Sequence, residues 1–296
     1  MADNIRELPI IKRHHQGKVR DIYDLGEELL IVTSDRVSAF DVIFPTIIPN
    51  KGKILNQISL FFFRKIEHII KNHLITDRVD EYPEALHPFR EELEDRSMLV
   101  KKTRVIPFEC IVRGYISGSA WSEYKKQSTV GGMIQPPGIK ESQKFEKPLF
   151  TPSTKAEEGN DVNISYQELL QRTDRKIAEF LKNKSMELYQ FGHDYLFERD
   201  IILADTKFEF GTSKGEIILI DELLTPDSSR FWDKNDYSVG QSPKSYDKQY
   251  IRDYFTKAGW DKKPPAPELP AEVIEKTYEK YYQAYKTIIG SEAKVW

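Results

Sequence analysis

Apolar residues in the first third of the chain follow two spacings, one typical of strands and one typical of helices. The segments ELLIVT (28–33) and LVKKTRV (99–105) each predict a short strand. Between them, residues 54–70 carry apolar side chains three and four positions apart, which predicts an amphipathic helix. The apolar segment FECIVRGYI, which follows Pro107, predicts a further strand. The next segment, GSAWSEYKKQ, predicts a helix with Ser119 near its N-cap.

The pattern changes in the middle of the chain. Residues 127–165 are rich in Gly, Pro, Ser and Lys and show little periodicity. They predict a long loop, and a loop of this length inside a compact domain is usually functional or mobile. Residues 165–196 predict one or two long helices, and further helices are predicted near 246–258 and 269–289. Strands, helices and an antiparallel hairpin in this arrangement predict the α+β class.

The segment ILADTKFEFG (202–211) combines an apolar strand pattern with three charged residues. Because strand side chains alternate, Asp205, Lys207 and Glu209 share one face and their apolar neighbours share the other. The polar link GTSKG leads to a second strand, EIILIDE, so a hairpin would bring Asp221 near Glu209. Two interpretations remain open. One is a solvated face with a cross-strand ion pair, and the other is a Mg²⁺ site completed by substrate phosphates.

A glycine followed by two cations lies near the N-terminus. The segment QGKVRDIYDL places Gly17 before Lys18 and Arg20. Glycine lets backbone N–H groups approach phosphate oxygens closely, and cations at alternate strand positions share a face. The segment lacks the Walker A pattern and is more similar to the strand–turn–strand phosphate cover of kinase-like sites. A simple hairpin turn is the alternative interpretation.

Polar residues follow the first apolar strand directly. The segment SDRVSAFDV carries Asp35, Arg36, Ser38 and Asp41. Loops at strand ends are common places for substrate contacts, so Ser38 and Asp41 are candidates for such contacts. A capped turn is the alternative.

Two arginines are associated with serine-rich turns. The segment IPFECIVRGYISGS places Glu109 and Arg113 on one strand face and Ser119 at the start of a helix. A helix N-terminus with a serine and a nearby arginine suits a phosphate group. In DELLTPDSSRFW, Arg230 follows Ser228 and Ser229 and offers a second guanidinium.

Composition limits the classes of function. The chain has 296 residues, 39% of them hydrophobic and 31% charged, as in a soluble globular protein. With 44 basic and 47 acidic residues the net charge is −3, which argues against wholesale nucleic-acid binding. Cys110 is the single cysteine, so no internal disulfide is expected. The most apolar window, ISLFFF, is too short to span a membrane, and no signal-peptide pattern is found at the N-terminus. We therefore expect a cytoplasmic protein.

Together these segments resemble the SAICAR synthetase (phosphoribosylaminoimidazole-succinocarboxamide synthase) family of purine biosynthesis. The similarity runs in the family's order from Gly17 to Asp233. It is carried by GKVRDIYDL, SDRVSAFDV, IPFECIVRGYISGS, LFTPSTKAEEGNDVNIS, LADTKFEFG and DELLTPDSSRFWD. The later segment SYDKQYIRDY is also similar to the family. The resemblance implies a small N-terminal strand-rich lid domain (1–105) and a larger α+β domain (106–296). ATP would bind in a cleft between them related to those of kinases and ATP-grasp proteins.

The resemblance also implies an activity and a set of residue roles. The enzyme would use ATP to join carboxyaminoimidazole ribonucleotide (CAIR) to L-aspartate through an acyl phosphate. Lys207 would neutralise developing charge, and Asp205 would hydrogen-bond the CAIR ring substituents. Mg²⁺ would be held by Glu209 and Asp221. The implied ATP contacts are Gly17, Lys18, Arg20, Thr103, Val105, Glu109 and Lys155. The implied substrate contacts are Ser38, Asp41, Arg113, Ser119, Asp205, Arg230 and Arg252.

Two other functions share part of this pattern. A small-molecule kinase of the inositol-phosphate type also carries an Asp-x-Lys strand, but it does not account for RGYISGS or SDRVSAFD. A nucleotide-binding sensor without turnover would need no second anion site. Small-molecule partners are expected, with no nucleic acid or membrane, and a monomer is favoured.

Overall fold

The computed structural model describes Leu8 and residues 13–40, 42–155, 161–246 and 248–296. Asp41, which the sequence suggested as a substrate contact, lies outside these residues. Throughout the described ranges, every helix is too short or too polar to cross a membrane.

The described residues form an α+β fold, which confirms the predicted class. The strands are β1 (Arg13–Gln16), β2 (Arg20–Asp24), β3 (Glu28–Thr33), β4 (Arg36–Ala39), β5 (Val42–Ile47), β6 (Leu74–Thr76), β7 (Ser97–Lys101), β8 (Arg104–Tyr115), β9 (Thr129–Val130), β10 (Met133–Ile134), β11 (Lys144–Phe150), β12 (Ser153–Thr154), β13 (Ile201–Ser213), β14 (Glu216–Ile220) and β15 (Ser229–Asp233). The α-helices are α1 (Lys51–Lys65), α2 (Arg90–Leu93), α3 (Gly118–Gln127), α4 (Tyr166–Arg172), α5 (Arg175–Phe197), α6 (Gln249–Lys257) and α7 (Ala271–Ile289).

The N-terminal part is built on an antiparallel sheet in the order β1-β2-β3-β7-β6. Its central strand β3 is apolar on both faces because both faces are covered. Leu30 and Val32 pack with Tyr82 and Leu86 on one side, whereas Ile31 joins the larger core that includes α1. The predicted strand at 28–33 is therefore confirmed as a central strand of a sheet.

The start of α1 is fixed by the segment that precedes β4. The Asp35 carboxylate accepts hydrogen bonds from the backbone N–H groups of Asn50 and Gly52, at 3.2 and 2.8 Å. A Cβ at Gly52 would lie 2.2 Å from the Thr33 carbonyl oxygen, so only glycine allows this close approach. Asp35 therefore has the capping role that was one of the two interpretations of this segment.

The C-terminal part is built on a second antiparallel sheet in the order β11-β8-β13-β14. The short strand β12 also pairs with β8, and β15 pairs with β13. The long strand β13 lies at the centre, where Phe208 and Phe210 are completely buried in the core shared with α5. The predicted hairpin is confirmed and turns at Lys214 and Gly215, although β13 is longer than the predicted strand and β14 ends two residues early, at Ile220.

The two parts share apolar packing. One core cluster contains Met98 and Val100 from β7 together with Ile106 and Phe108 from β8. The C-terminal helices also return to the N-terminal part, because Phe255 and Val273 pack with Phe44 of β5. The boundary between 1–105 and 106–296 stays a prediction.

Two predictions from the sequence are wrong in detail. Residues 99–105 do not form one strand, because β7 ends at Lys101 and β8 begins at Arg104. Residues 127–165 are not a featureless loop, because they contain β9 to β12. The strands β11 and β12 pair with β8, so a polar and glycine-rich composition here reflects short edge strands and turns.

Candidate active site

The face of β13 opposite the main core carries the charged residues that the alternation predicted. Asp205 and Glu209 are only 6% and 3% exposed, and the Lys207 side chain is 25% exposed. Neighbouring strands on both sides remove these groups from water. Buried charges are stable only when they are paired, so their partners define the site.

Lys207 lies among three carboxylates. Its Nζ atom is 2.5 Å from Glu209 Oε1, 3.0 Å from Glu109 Oε1 and 3.6 Å from Asp221 Oδ2. Glu109 belongs to β8 and lies directly opposite Glu209, and Asp221 follows β14. Although burial opposes the charged form, these carboxylates raise the pKa of Lys207 well above its usual range. The lysine is therefore a fixed positive charge rather than a base.

The two carboxylates suggested as metal ligands differ in their surroundings. Asp221 has a positive φ of 67°, a conformation rare outside glycine, which turns its side chain towards Arg20 and Lys207. Burial opposes its ionisation, but these two cations lower the pKa of Asp221 below its usual range. Burial instead raises the pKa of Glu209, against the opposing charges of Lys207 and Lys155.

Lys155 and Arg20 provide further positive charge around these carboxylates. Lys155 Nζ contacts Glu209 Oε2, and Arg20 pairs with Glu222 while lying 3.8 Å from Asp221. Across the described residues, no three His, Cys, Asp or Glu side chains are placed to hold a metal ion by themselves.

The other end of the charged face carries two arginines. Asp205 lies opposite Arg113 of β8 and opposite Arg230 of β15 in the sheet. Its Oδ2 atom accepts from Arg230 Nη1 at 2.5 Å, from Arg113 Nη1 at 3.4 Å and from Ser117 Oγ at 3.3 Å. Two guanidinium groups therefore share one carboxylate, which leaves net positive charge for an anion.

The start of α3 adjoins these arginines. Ser117 is the N-cap residue rather than Ser119, which lies in the first turn and accepts from Arg113 Nη2 at 3.4 Å. Gly118 has a positive φ of 54°, and a Cβ there would lie 2.4 Å from Arg230 Nη2. The helix N-terminus adds partial positive charge next to the guanidinium groups.

Two adjoining cavities open beside these residues. One, of about 200 Å³, is lined by Asp205, Lys207 and Arg113 among others. A second, of about 360 Å³, includes Phe40 in its lining. Arg230 and Arg252 line both cavities. The anion end and the lysine end of β13 thus face a continuous polar region.

The remaining predicted residues lie in the β1–β2 turn, near the junction of β7 and β8, and in β4. Gly17 and the exposed Lys18 form the β1–β2 turn, closed by a 2.7 Å bond from the Gly17 N–H to the Arg20 carbonyl. Thr103 lies between β7 and β8, and Val105, which is 46% exposed, pairs with Gly211 two residues beyond Glu209. Ser38 is buried in β4 and does not line either cavity.

Sequence reasoning missed several residues that contact the site. Asp227 and Lys248 line the smaller cavity, and Glu222 binds Arg20. Thr151 accepts from Arg113 Nε at 3.0 Å. Asp227 and Glu222 lie within DELLTPDSSRFW, where only Asp221, the serines and Arg230 had been given roles. Thr151 lies within the segment predicted as a loop, so its pairing with Arg113 had no sequence signal.

These features define an enzyme of the α+β class whose site combines an arginine–serine anion pocket with a lysine held among carboxylates. A family model described as SAICAR synthetase matches residues 13–267. A relative from Thermodesulfovibrio yellowstonii named phosphoribosylaminoimidazole-succinocarboxamide synthase is 51% identical over 288 residues, which cover 97% of this chain and 98% of that relative. A relative of the same name from Geobacter sulfurreducens is 50% identical over 285 residues, or 96% of each chain.

Solved structures give the same result. The SAICAR synthase from Saccharomyces cerevisiae complexed with SAICAR has a TM-score of 0.91 and 43% identity, with 99% of both chains covered. A SAICAR synthetase in complex with ADP has a TM-score of 0.67 and 25% identity, with 95% of this chain and 99% of that chain covered. The chain belongs to the SAICAR synthetase family. The predictions of family and ligase class are thereby confirmed.

Asp205→Asn should destabilise the free protein. The carboxylate is the shared partner of two arginines, one of them 5% exposed, and its loss leaves buried positive charge without compensation. We expect the free energy of unfolding in denaturant to fall by about 3 kcal/mol.

Asp236→Asn is the matched control, because Asp236 pairs with Lys244 at 2.7 Å in an exposed position. This substitution should cost less than about 1 kcal/mol. Equal effects of the two substitutions would show that the Asp205 pairs do not contribute as buried interactions.

Proposed function

We propose that this protein catalyses the ATP-dependent ligation of CAIR and L-aspartate to SAICAR on the charged face of β13. The observation that carries the proposal is the presence of two charged centres along the face of β13. One is the Arg113–Arg230 pair around Asp205, and the other is Lys207 with its carboxylates. The named relatives, at 51% and 50% identity over nearly the whole chain, support the same reaction.

The chemistry explains why positive charge is needed at the reacting groups. A carboxylate does not react with an amine at neutral pH, because oxide is a very poor leaving group. One oxygen of the CAIR carboxylate attacks the γ-phosphorus, ADP leaves, and an acyl phosphate forms. The aspartate amine then attacks the carbonyl carbon, the bond to the phosphate oxygen breaks, and a proton is lost from nitrogen. The first step brings two anions together, so fixed positive charge lowers its barrier.

The lysine end suits the reacting groups. Lys207 keeps its proton because three carboxylates surround it, so it can neutralise charge that develops between CAIR and the γ-phosphate. Asp205, two residues earlier, would accept hydrogen bonds from the CAIR ring substituents. It lines the smaller cavity together with Lys207 and Arg113, which supports that role.

The arginine end suits the 5-phosphate of CAIR. Arg113 and Arg230 present planar guanidinium groups, and Ser119 and the start of α3 add donors beside them. Arg252 lines the same cavity and would add a further positive charge. Ser38 and Asp41 would belong to the segment that closes over the substrates, with Phe40 between them lining the adjoining cavity.

ATP would bind beyond the lysine end. The β1–β2 turn with Gly17, Lys18 and Arg20 would cover the phosphates, and Arg20 already lies near Asp221. Thr103 and Val105 would contact adenine through their backbone, and Glu109 and Lys155 would complete the nucleotide site. The complex of a related SAICAR synthetase with ADP supports a nucleotide in this family's cleft.

Glu209 and Asp221 would hold Mg²⁺. Two carboxylates together with phosphate oxygens form the ligand set that Mg²⁺ prefers, so the residues present fit this ion. When bound, the ion would screen the negative charge of the phosphates. In the free chain the Glu209 carboxylate is paired with Lys155 and Lys207, which would have to share it with the ion.

The remaining expectations concern the setting of the protein. Its partners would be the small molecules ATP, CAIR and L-aspartate. We propose a cytoplasmic enzyme, in keeping with a substrate set of soluble metabolites, and a monomer.

Phosphate release in the presence of ATP and CAIR, with and without L-aspartate, tests the function. Steady release that requires both substrates is expected from the ligase. A kinase acting on a hydroxyl would consume ATP without releasing phosphate, and a sensor would show no sustained turnover. Either of those results would contradict the proposal.

Glu209→Gln and Asp221→Asn test the metal ligands. Each substitution keeps the size of the side chain and removes the charge that attracts the ion. We expect turnover to fall at least about 100-fold and the Mg²⁺ concentration for half-maximal rate to rise. Glu216→Gln, on the exposed part of β14, is the control and should leave both quantities unchanged. Normal turnover of either site variant at limiting Mg²⁺ would remove that residue from the metal site.

A further inference from the structure

A buried charge network lies behind the substrate cavity, outside the residues given roles above. The Asp227 carboxylate accepts from Lys51 Nζ at 2.7 Å and from the Tyr281 hydroxyl at 2.5 Å. The side chains of Lys51 and Tyr281 have no exposed surface, and that of Asp227 is 6% exposed. Lys51 Nζ also lies 5.4 Å from the centre of the Tyr281 ring.

The three residues come from three distant parts of the chain. Lys51 is the first residue of α1, Asp227 lies in the turn between β14 and β15, and Tyr281 is in the middle of α7. Asp227 also lines the smaller cavity with Asp205 and Lys207. Burying a charged lysine costs free energy unless the charge is paired. The ion pair with Asp227 therefore fixes the position of the turn relative to α1.

The turn that carries Asp227 is bonded directly to the reactive strand. The Lys207 backbone N–H donates to the Ser228 carbonyl at 3.0 Å. The Ser229 hydroxyl lies 2.8 Å from the Thr206 hydroxyl. A displacement of Asp227 would therefore be transmitted to the backbone of Lys207 through the next residue in the chain.

The same turn holds the carboxylates near the lysine end. Thr225 Oγ1 accepts from the backbone N–H groups of Asp227 and Ser228, both at 3.2 Å, and donates to Glu222. Glu222 in turn binds Arg20. Asp221, the proposed metal ligand, begins this turn. The position of the turn thus controls both sides of the reacting region.

We propose that Lys51 and Tyr281 are positioning residues that act through Asp227 to hold the 221–229 turn against Lys207 for the phosphoryl-transfer step. They touch neither substrate nor nucleotide in this proposal. Lys51 also keeps Asp227 charged. Although burial opposes ionisation, Lys51 and then Lys248 hold the pKa of Asp227 below its usual range. The inference rests on the proposed ligase function, because it assigns Lys207 to the reacting anions.

Tyr281→Phe tests the inference with the least disturbance. The substitution keeps the ring and its contact with Lys51 and removes only the hydroxyl that donates to Asp227. We expect kcat for aspartate-dependent phosphate release to fall about tenfold, the effect of losing a hydrogen bond to a charged group. The KM for ATP should stay unchanged. All rates are measured per folded molecule, at a temperature well below the unfolding midpoint.

Tyr285→Phe is the matched control on the same helix. Tyr285 is 2% exposed, and its hydroxyl accepts from the Lys294 N–H at 2.9 Å, away from the cavity. It should lower the unfolding midpoint without changing kcat. If Tyr281→Phe behaves in the same way, the network is structural only and the inference is overturned.

Lys51→Met, Asp227→Asn and the double variant give an independent test. Residues that act as one unit have non-additive effects, so the double variant should be no slower than the slower single variant, within about a factor of three. Lys51→Arg, which keeps the charge, should retain more activity than Lys51→Met. Effects that multiply, or a Lys51→Arg variant no better than Lys51→Met, would contradict the proposal.

The enzyme without substitutions distinguishes failure of the proposed function from failure of this inference. If it shows no aspartate-dependent phosphate release, the proposed function fails, and this inference fails with it. If it turns over while Tyr281→Phe retains its full kcat, the function stands and only the positioning role is lost.

Discussion

The pairing of the partly buried Lys207 of β13 with three carboxylates is the constraint on which the site depends. Lys207 can remain charged there only because Glu109, Glu209 and Asp221 surround it. Each carboxylate comes from a different strand or strand end, so the charge can be accommodated only when β8, β13 and β14 are in register. The site therefore forms only when the sheet has folded with these three strands correctly paired.

The long central strand also sets the distance between the two ends of the site. Asp205 and Glu209 are four positions apart, which corresponds to about 13 Å along a strand. At one end two arginines line the cavity, and at the other Asp221 of the lysine–carboxylate cluster lies 3.8 Å from Arg20, the first residue of β2. A substrate that spans these ends would have its phosphate and its carboxylate held by rigid sheet residues, which suits a reaction that depends on alignment.

Alternation and helical periodicity were sufficient to predict the elements that carry the site. The shared face of Asp205, Lys207 and Glu209, the approach of Asp221 and the common face of Glu109 and Arg113 all follow from strand geometry. The ligand expected for each residue came from the family resemblance, because no periodicity indicates which anion an arginine binds.

The rest could not be predicted because it depends on contacts between distant segments. The segment 127–165 lacks periodicity because β9, β10 and β12 have only two residues each. β9 and β10 pair with each other, and β11 and β12 pair with β8, so the register is determined by these neighbours. Lys51 and Tyr281 carry no local signal, because their partner Asp227 lies 176 and 54 residues away in the chain. The N-cap of α3 was assigned two residues late, at Ser119 instead of Ser117, because both positions carry serine.

The central claim is that the CAIR carboxylate is phosphorylated before the aspartate amine attacks. It is tested most directly with CAIR labelled with ¹⁸O in its carboxylate, followed by mass spectrometry of the phosphate released in the presence of ATP and L-aspartate. One labelled oxygen should be found in each phosphate, since the acyl phosphate breaks between carbon and that oxygen. Phosphate that carries no label would contradict an acyl phosphate and the role given to Lys207.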